Sequence, residues 1–197
     1  MPRVTEVLDY SMEPELFNWH IRLGKAACKK IGDEAKRVGT LVDSLIQQDI
    51  RDGGYLAPEG DEPVTNCLRA WELFKTAYPE FVPSVVGMQD EVKLDDLVGH
   101  PDFIHADGIT DLKCSSGIRP RYWTQTAQYL KMLGRGEWIA VLRLDKVTGI
   151  YEYKKITDVE YIRYEWKVFD AYLTGFNHNQ INREKIRQIL ELELLGG

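Results

Sequence analysis

The chain has 197 residues, of which 44% are hydrophobic and 28% are charged. These proportions are typical of a globular protein and exclude a collagen, a coiled coil and an intrinsically disordered chain. With 25 Lys and Arg against 31 Asp and Glu, the formal net charge is -6. This balance excludes a protein that coats nucleic acid non-specifically, but it allows a local basic groove.

The apolar runs and the cysteines disfavour further classes of protein. No apolar run approaches the ~20 residues that span a bilayer, and the first residues lack the apolar core of a signal peptide. Three cysteines without a Cys-x-x-Cys pair argue against a disulfide framework, a zinc site and an iron–sulfur cluster. We therefore expect a cytoplasmic protein with reduced thiols and no membrane contact.

Helical spacing of apolar residues predicts three helices in the first part of the chain. They lie over residues 13–23, over residues 33–50, and from an N-cap at Thr65 to a stop at Pro79. Gly39 interrupts the apolar face of the second helix, where we expect a neighbouring backbone to come close.

Short β-rich runs follow, over residues 85–94, 98–105, 109–114, 138–144 and 150–155. A helix from about residue 122 to residue 133 separates the third run from the fourth, and two helices around Trp166 and Leu190 close the chain. We predict one α/β domain over residues 1–197, with a helical part at 1–80, a sheet and helix that carry the site at 81–155, and C-terminal helices at 156–197.

Acidic residues and a lysine fall on one face of the predicted strands. A two-residue turn that begins at Asp107 would pair Asp102 with Lys113 on the next strand. Because side chains alternate between the two faces of a strand, Asp111 then shares a face with both.

The same count extends this face to an earlier strand. A two-residue turn that begins at Asp95 would pair Glu91 with His100 and Gln89 with Asp102. Carboxylates that converge in this way repel one another unless a divalent cation lies among them, and oxygen ligands favour Mg²⁺ or Mn²⁺. The alternative is a solvated face of an antiparallel sheet, the commoner arrangement for alternating acids.

Four motifs in order resemble the PD-(D/E)xK nuclease superfamily and, within it, the RecB-like exonucleases. They are Glu91, then Gly99-His100-Pro101-Asp102, then Asp111-Leu112-Lys113, and finally Gln125 with Tyr129. Residues 37–43 are similar to the Gly-Thr-x-x-His helix of these nucleases, and residues 4–8 with Trp19 resemble the opening of phage-encoded members. The Gln89-x-Glu91 segment is also similar to that of the mitochondrial genome maintenance exonuclease.

The resemblance implies a fold, an origin and a chemistry. The fold would be a restriction-endonuclease-like core, a central mixed sheet whose antiparallel strands carry the site, flanked by helices, in a viral or prophage protein. Asp102, Asp111, the carbonyl of Leu112 and Glu91 would bind one or two Mg²⁺ or Mn²⁺ ions on the scissile phosphate of DNA. Lys113 would orient the attacking water and stabilise developing charge.

The chain departs from the family in two places. Asp43 stands where the family helix usually carries His, so a direct contact, a water-mediated contact and no contact with the metal all stay open. Either Gln89 or Glu91 can occupy the position of the upstream acid. We favour Glu91, because a carboxylate binds Mg²⁺ better than an amide does.

Residues around the next helix complete the candidate site. Gln125 and Tyr129 are four residues apart and share a helix face, and the resemblance implies that they help to place the site or its DNA. Arg119 and Arg121 suit phosphate contacts. For the two arginines, the alternative is an ordinary loop-to-helix junction. For Gln125 and Tyr129, it is a core tyrosine with a capping amide. His100 would either touch phosphate or metal or have a structural role.

We therefore predict a Mg²⁺-dependent DNA exonuclease that acts in recombination, replication or DNA degradation. One alternative is an endonuclease of the same fold, structure-specific or restriction-like. Another is a catalytically silent DNA-binding module, against which the intact Asp102, Asp111 and Lys113 argue. The resemblance also allows a single-strand annealing or replication protein as partner, and an oligomer.

Overall fold

A mixed sheet of five strands forms the centre of the fold, in a computed structural model that describes residues 1–10 and 21–195. In chain order the strands are β1 (Val85–Gly87), β2 (Val92–Leu94), β3 (Leu97–Gly99), β4 (Phe103–His105), β5 (Gly108–Cys114), β6 (Trp138–Leu144) and β7 (Tyr151–Ile156). The central sheet has the order β1-β4-β5-β6-β7, and β2 and β3 form a separate two-stranded sheet.

Helices cover both faces of the central sheet. They are α1 (Val4–Tyr10), α2 (Lys25–Asp52), α3 (Glu62–Ala77), α4 (Phe81–Ser84), α5 (Pro120–Leu133) and α6 (Val159–Leu195). Within the described ranges, none of these helices is long and apolar enough to cross a membrane.

The two faces of the sheet have separate cores. On one face, Val42, Trp71 and Phe74 of α2 and α3 pack with Leu142 of β6. On the other, residues of α1, α5 and α6 pack with Ile109 of β5, among other strand residues. Since β6 is covered from both sides, every one of its seven residues is buried.

The central sheet contains both parallel and antiparallel strand pairs. β5 and β6 are parallel, and α5 connects them, as a parallel pair requires a crossover. The other neighbours in the sheet are antiparallel. The structure thus confirms an α/β fold with a central mixed sheet flanked by helices.

Two predicted strands are each divided in two. The run at 85–94 breaks into β1 and β2 because Gln89 adopts a left-handed backbone conformation, with φ 54°. The run at 98–105 breaks into β3 and β4 around Pro101, which has no N–H to donate to a ladder.

Several helix boundaries also differ from the prediction. The N-cap of α3 is Asp61, whose side chain accepts a hydrogen bond from the Val64 amide, and not Thr65. The reason is that Pro63 fits the first helical turn. The two predicted C-terminal helices are one continuous helix, α6.

The first two predicted helices have different outcomes. Apart from residues 21–23, the helix over residues 13–23 lies outside the described residues. The second helix is present as the longer α2. The close backbone approach expected at Gly39 is absent among the described residues, since a Cβ there would meet no atom within 4 Å.

Candidate active site

The hairpin of β4 and β5 brings the acids together in a register that differs by two residues from the prediction. Phe103 pairs with Thr110 and Ile104 pairs with Ile109, where the two-residue turn would have paired Ile104 with Asp111. Continuing the observed register puts Asp102 opposite Asp111. Because the shift is an even number of residues, the side chains keep the face that the alternation assigned to them.

Both carboxylate oxygens of Asp102 are held by the protein. Oδ2 accepts a hydrogen bond from the backbone amide of Leu112 at 2.7 Å, and Oδ1 accepts one from Nε2 of Gln89 at 2.6 Å. Hydrogen bonds to an ionised acceptor are among the stronger ones in proteins. They fix the orientation of Asp102 before any ligand arrives.

Asp111 is fully buried beside Lys113. The Lys113 ammonium donates to Oδ1 of Asp111 at 2.8 Å and lies 2.7 Å from Oδ2. Oδ2 nevertheless accepts no well-oriented hydrogen bond from the described chain. Burial raises the pKa of the Asp111 carboxyl, although Lys113 opposes this, and the negative charge of Asp102 raises it further.

The amine of Lys113 stays charged in this environment. Burial alone would disfavour the ammonium, but attraction to Asp111 and Asp102 outweighs it and raises the pKa of Lys113. The ammonium also lies 5.3 Å from the centre of the Tyr122 ring, within the range of a cation–π contact.

Gln89 connects the strand acids to α2. Its left-handed conformation is accompanied by a hydrogen bond from its backbone amide to the carbonyl of Pro101, at 2.9 Å. Its Nε2, besides donating to Asp102, lies 3.4 Å from Oδ2 of Asp43. Gln89 therefore reaches two of the predicted carboxylates.

Asp43 is the acid that α2 contributes. Its Oδ2 accepts from Nε2 of Gln47 at 2.9 Å, while its buried Oδ1 has no hydrogen-bond partner in the described part of the chain. Burial raises the pKa of Asp43 to about 6, and the charge of Asp102 adds to the effect.

Glu91 is not part of this group in the structure. Its carboxylate forms an ion pair with Lys93 at 2.5 Å, with half of the side chain exposed, and Lys93 lowers the pKa of the carboxyl. The count that placed it on the acidic face fails because the chain turns at Gln89 and β2 joins the separate sheet. His100 is exposed, and its Nδ1 lies 3.3 Å from the Gln89 carbonyl oxygen.

Gln125 and Tyr129 contact each other on α5. Nε2 of Gln125 donates to the Tyr129 hydroxyl at 3.2 Å, and burial together with the charge of Asp111 raises the pKa of Tyr129 to about 12. The Tyr129 ring packs against β3, where a Cβ on Gly99 would lie 2.5 Å from Cε1. The glycine and tyrosine of two separate sequence motifs are thus in direct contact.

The two predicted arginines lie at the start of α5. Arg119 is its exposed N-cap residue. Arg121 lies 3.4 Å from the carboxylate of Asp9 in α1. In the described part of the chain, neither of them forms a hydrogen bond or an ion pair with Asp102 or Asp111.

One charged residue near the site was missed by the sequence analysis. Arg143 of β6 is buried and lies in register with Lys113 on the neighbouring strand. Its guanidinium donates to the Ser115 carbonyl at 3.2 Å and pairs with Asp145 at 3.0 Å and Glu152 at 3.1 Å. The available signal was an arginine inside the otherwise apolar run of β6.

The donor set suits a hard divalent cation. Oδ2 of Asp111 and Oδ1 of Asp43 accept no well-oriented hydrogen bond from the described chain, and carboxylate oxygens are the type of ligand that Mg²⁺ and Mn²⁺ prefer. Within the described residues, however, no group of three or more His, Cys, Asp and Glu side chains is arranged as a metal cluster. The carboxylates of Asp102, Asp111 and Asp43 and the carbonyl of Leu112 therefore fit such an ion in chemical type, although the three side chains are not gathered into one cluster.

Comparison with known proteins gives structural likeness alone. No protein-family model matches the chain, and no curated protein matches it. The chain is similar to an alkaline exonuclease from Laribacter hongkongensis at 14% identity, covering 95% of this chain and 94% of that one, with a TM-score of 0.45.

Two further solved structures show a similar degree of likeness. A structure of the Laribacter exonuclease in complex with dAMP gives 15% identity, 95% and 93% coverage and a TM-score of 0.43. A phage related exonuclease from Haemophilus somnus 129PT gives 12% identity, 72% and 82% coverage and a TM-score of 0.41.

Proposed function

We propose that the chain is a metal-dependent DNA exonuclease of the PD-(D/E)xK type, acting on DNA ends in recombination, replication or DNA degradation. One observation carries the proposal: the buried Asp111 lies beside the Lys113 ammonium, with Asp102 held by the Leu112 amide on the adjoining strand segment. Burying an acid is costly, and a cation-binding role accounts for keeping it there.

The proposed metal ligands are Asp102, Asp111 and the carbonyl of Leu112, with Mg²⁺ or Mn²⁺ as the ion. When bound, the ion would polarise the phosphate and lower the pKa of a coordinated water. The Oδ2 of Asp111, which accepts no well-oriented hydrogen bond from the described chain, supports this assignment. Asp43 and Gln89 are better placed than Glu91 to complete the set, because they connect to Asp102 by hydrogen bonds.

Lys113 acts as a positive donor in this proposal. Its raised pKa keeps the amine protonated at neutral pH, so it cannot accept a proton from water. It can instead hold the attacking water by a hydrogen bond and stabilise negative charge that develops on the phosphate.

The edge of the site would bind the DNA. With its pKa raised to about 12, Tyr129 keeps its hydroxyl proton at neutral pH, and Gln125 holds that hydroxyl in place. The exposed Arg119 and the partly exposed Arg121 are proposed to contact phosphates. His100 would lie near the DNA through its contact with the Gln89 carbonyl.

The test is digestion of linear and closed circular DNA, single- and double-stranded, with Mg²⁺ and with EDTA. Lys113→Ala should abolish digestion, while Lys93→Ala, which also removes an acid-paired lysine, should leave it intact. Loss of linear forms alone supports the exonuclease. Cutting of circles supports the endonuclease, and no metal-dependent digestion of any form supports a silent DNA-binding module.

A further inference from the structure

A basic segment precedes the site and covers most of the first half of α2, which begins at Lys25. Residues 22–37 contain six Lys and Arg but only two Asp and Glu, whereas the rest of the chain has 19 against 29. The net negative charge of the rest of the chain therefore repels a polyanion such as DNA, whereas the net positive charge of this segment attracts one.

Three lysines of this segment are exposed and available. Lys29, Lys30 and Lys36 are exposed, and none of them forms an ion pair with a described residue. Arg37 differs from them, since it is paired with Glu34 and Asp61. Of residues 26–37, Cys28 alone is buried, so the first half of α2 contributes little to the core.

Lys29 and Lys36 lie in line with the site. Lys29, Lys36 and Asp43 are seven residues apart, and such positions drift by only ~20° per heptad on an α-helix. At a rise of ~1.5 Å per residue, Lys36 lies about 10 Å and Lys29 about 21 Å along the helix from Asp43. Asp43 contacts Gln89, which contacts Asp102, so this line ends at the candidate site.

Two glycines flank the line of lysines. Gly32 and Gly39 also lie seven residues apart, and a Cβ on either would meet no described atom within 4 Å. Glycine weakens a helix relative to alanine, and packing within the described chain offers no compensation at these two positions. Their open backbone suits the close approach of a bound strand.

We propose that Lys29 and Lys36 bind the phosphates of a DNA strand that runs along α2 into the site; this rests on the proposed function. At ~3.4 Å per nucleotide of a B-form strand, the two lysines contact phosphates about three and six nucleotides from Asp43. Lys30, which follows Lys29 on the helix and is also exposed, adds positive charge beside this track. The acidic remainder of the chain confines the DNA to it.

The test measures DNA binding in EDTA, which separates binding from the proposed metal-dependent hydrolysis. Fluorescence anisotropy of 20-nucleotide single- and double-stranded DNA between 50 and 200 mM salt is compared for the wild type, Lys29→Gln/Lys36→Gln and Arg135→Gln. Arg135 is an exposed charge in the loop before β6, at the opposite end of β5 and β6 from Lys113. Circular dichroism checks that α2 is intact, since glutamine preserves helix propensity.

We expect the double variant to lower the slope of log K against log salt by about 1.4 to 1.8, that is ~0.7 to 0.9 for each lost phosphate contact. Arg135→Gln should keep the wild-type slope. An unchanged slope in the double variant, or an equal decrease of the slope in Arg135→Gln, overturns the inference about α2. If the wild type still digests DNA in that case, the proposed function is unaffected. If the wild type neither binds nor digests DNA, both fail together.

Discussion

Replacing Asp43 by asparagine should stabilise the metal-free protein at alkaline pH. The pKa of Asp43 is raised from its ordinary value of 3.8 to about 6, chiefly by burial. A group whose pKa is higher in the folded state favours folding while it is protonated, so its contribution is complete below pH 3.8 and is lost as the pH rises through 6. Asparagine carries no charge and escapes this loss.

The size of the effect follows from the shift. The pKa of Asp43 rises by roughly two, and each pKa unit corresponds to ~1.4 kcal/mol, so the gain in the free energy of unfolding has an upper limit of about 3 kcal/mol. Because Asp43 is only partly buried, screening by solvent reduces our expectation to about 1 to 2 kcal/mol at pH 8. Urea denaturation in EDTA at pH 4, 6 and 8 measures it, with the exposed Asp33→Asn of the same helix as control.

Two results would refute this reasoning. One is an Asp43→Asn variant that is no more stable than the wild type at pH 8, and the other is a gain that is the same at pH 4. With Mg²⁺ in place of EDTA the sign should reverse if Asp43 helps to hold the ion, because a ligand stabilises only the state that binds it.

Three further predictions concern the surroundings of the site. Gln89→Ala removes a hydrogen bond to the Asp102 carboxylate and should lower activity about tenfold in the DNA digestion assay, whereas Glu91→Gln should keep nearly wild-type activity. The opposite ranking would indicate that Glu91, and not Gln89, completes the site. Gly99→Ala should lower the free energy of unfolding by about 1 to 3 kcal/mol in urea denaturation, because its Cβ would overlap the Tyr129 ring. If the losses of Gly99→Ala and Tyr129→Ala simply add in the double variant, this cause is contradicted. Arg143→Met should cost about 1 to 3 kcal/mol in urea denaturation, because the half-buried carboxylates of Asp145 and Glu152 and the Ser115 carbonyl lose a charged donor, and Arg143→Lys should recover part of this loss. Unchanged stability in Arg143→Met would show that these contacts contribute nothing.

The central strands could be predicted from sequence because their patterns are strong. β6 has the predicted bounds and β5 begins one residue early, since both are continuous β-rich runs. The predicted pairing of β4 with β5 was shifted by two residues. That error did not change the face of Asp111 and Lys113, because the side-chain period of a strand is two.

The upstream part of the site could not be predicted in the same way. Counting from the turn at Asp95 assumes an unbroken strand, and the pairing of Leu94 with Leu97 is indeed as counted. The positive φ of Gln89 breaks the alternation beyond it, and no local pattern signals such a conformation at a glutamine. The count could not choose between Gln89 and Glu91, because a side-chain period of two puts both on one face; in the structure Gln89 donates to Asp102, whereas Glu91 pairs with Lys93.

The separate sheet of β2 and β3 has an evolutionary consequence. Its tip at Asp95 and Asp96 is exposed, and its pairing ends before the segment that orients Asp102. Residues inserted at this tip would lengthen the hairpin without moving the central sheet, because exposed loop tips tolerate insertion. Descendants of this chain could therefore acquire new surface on this hairpin while Gln89 and Asp102 keep their positions.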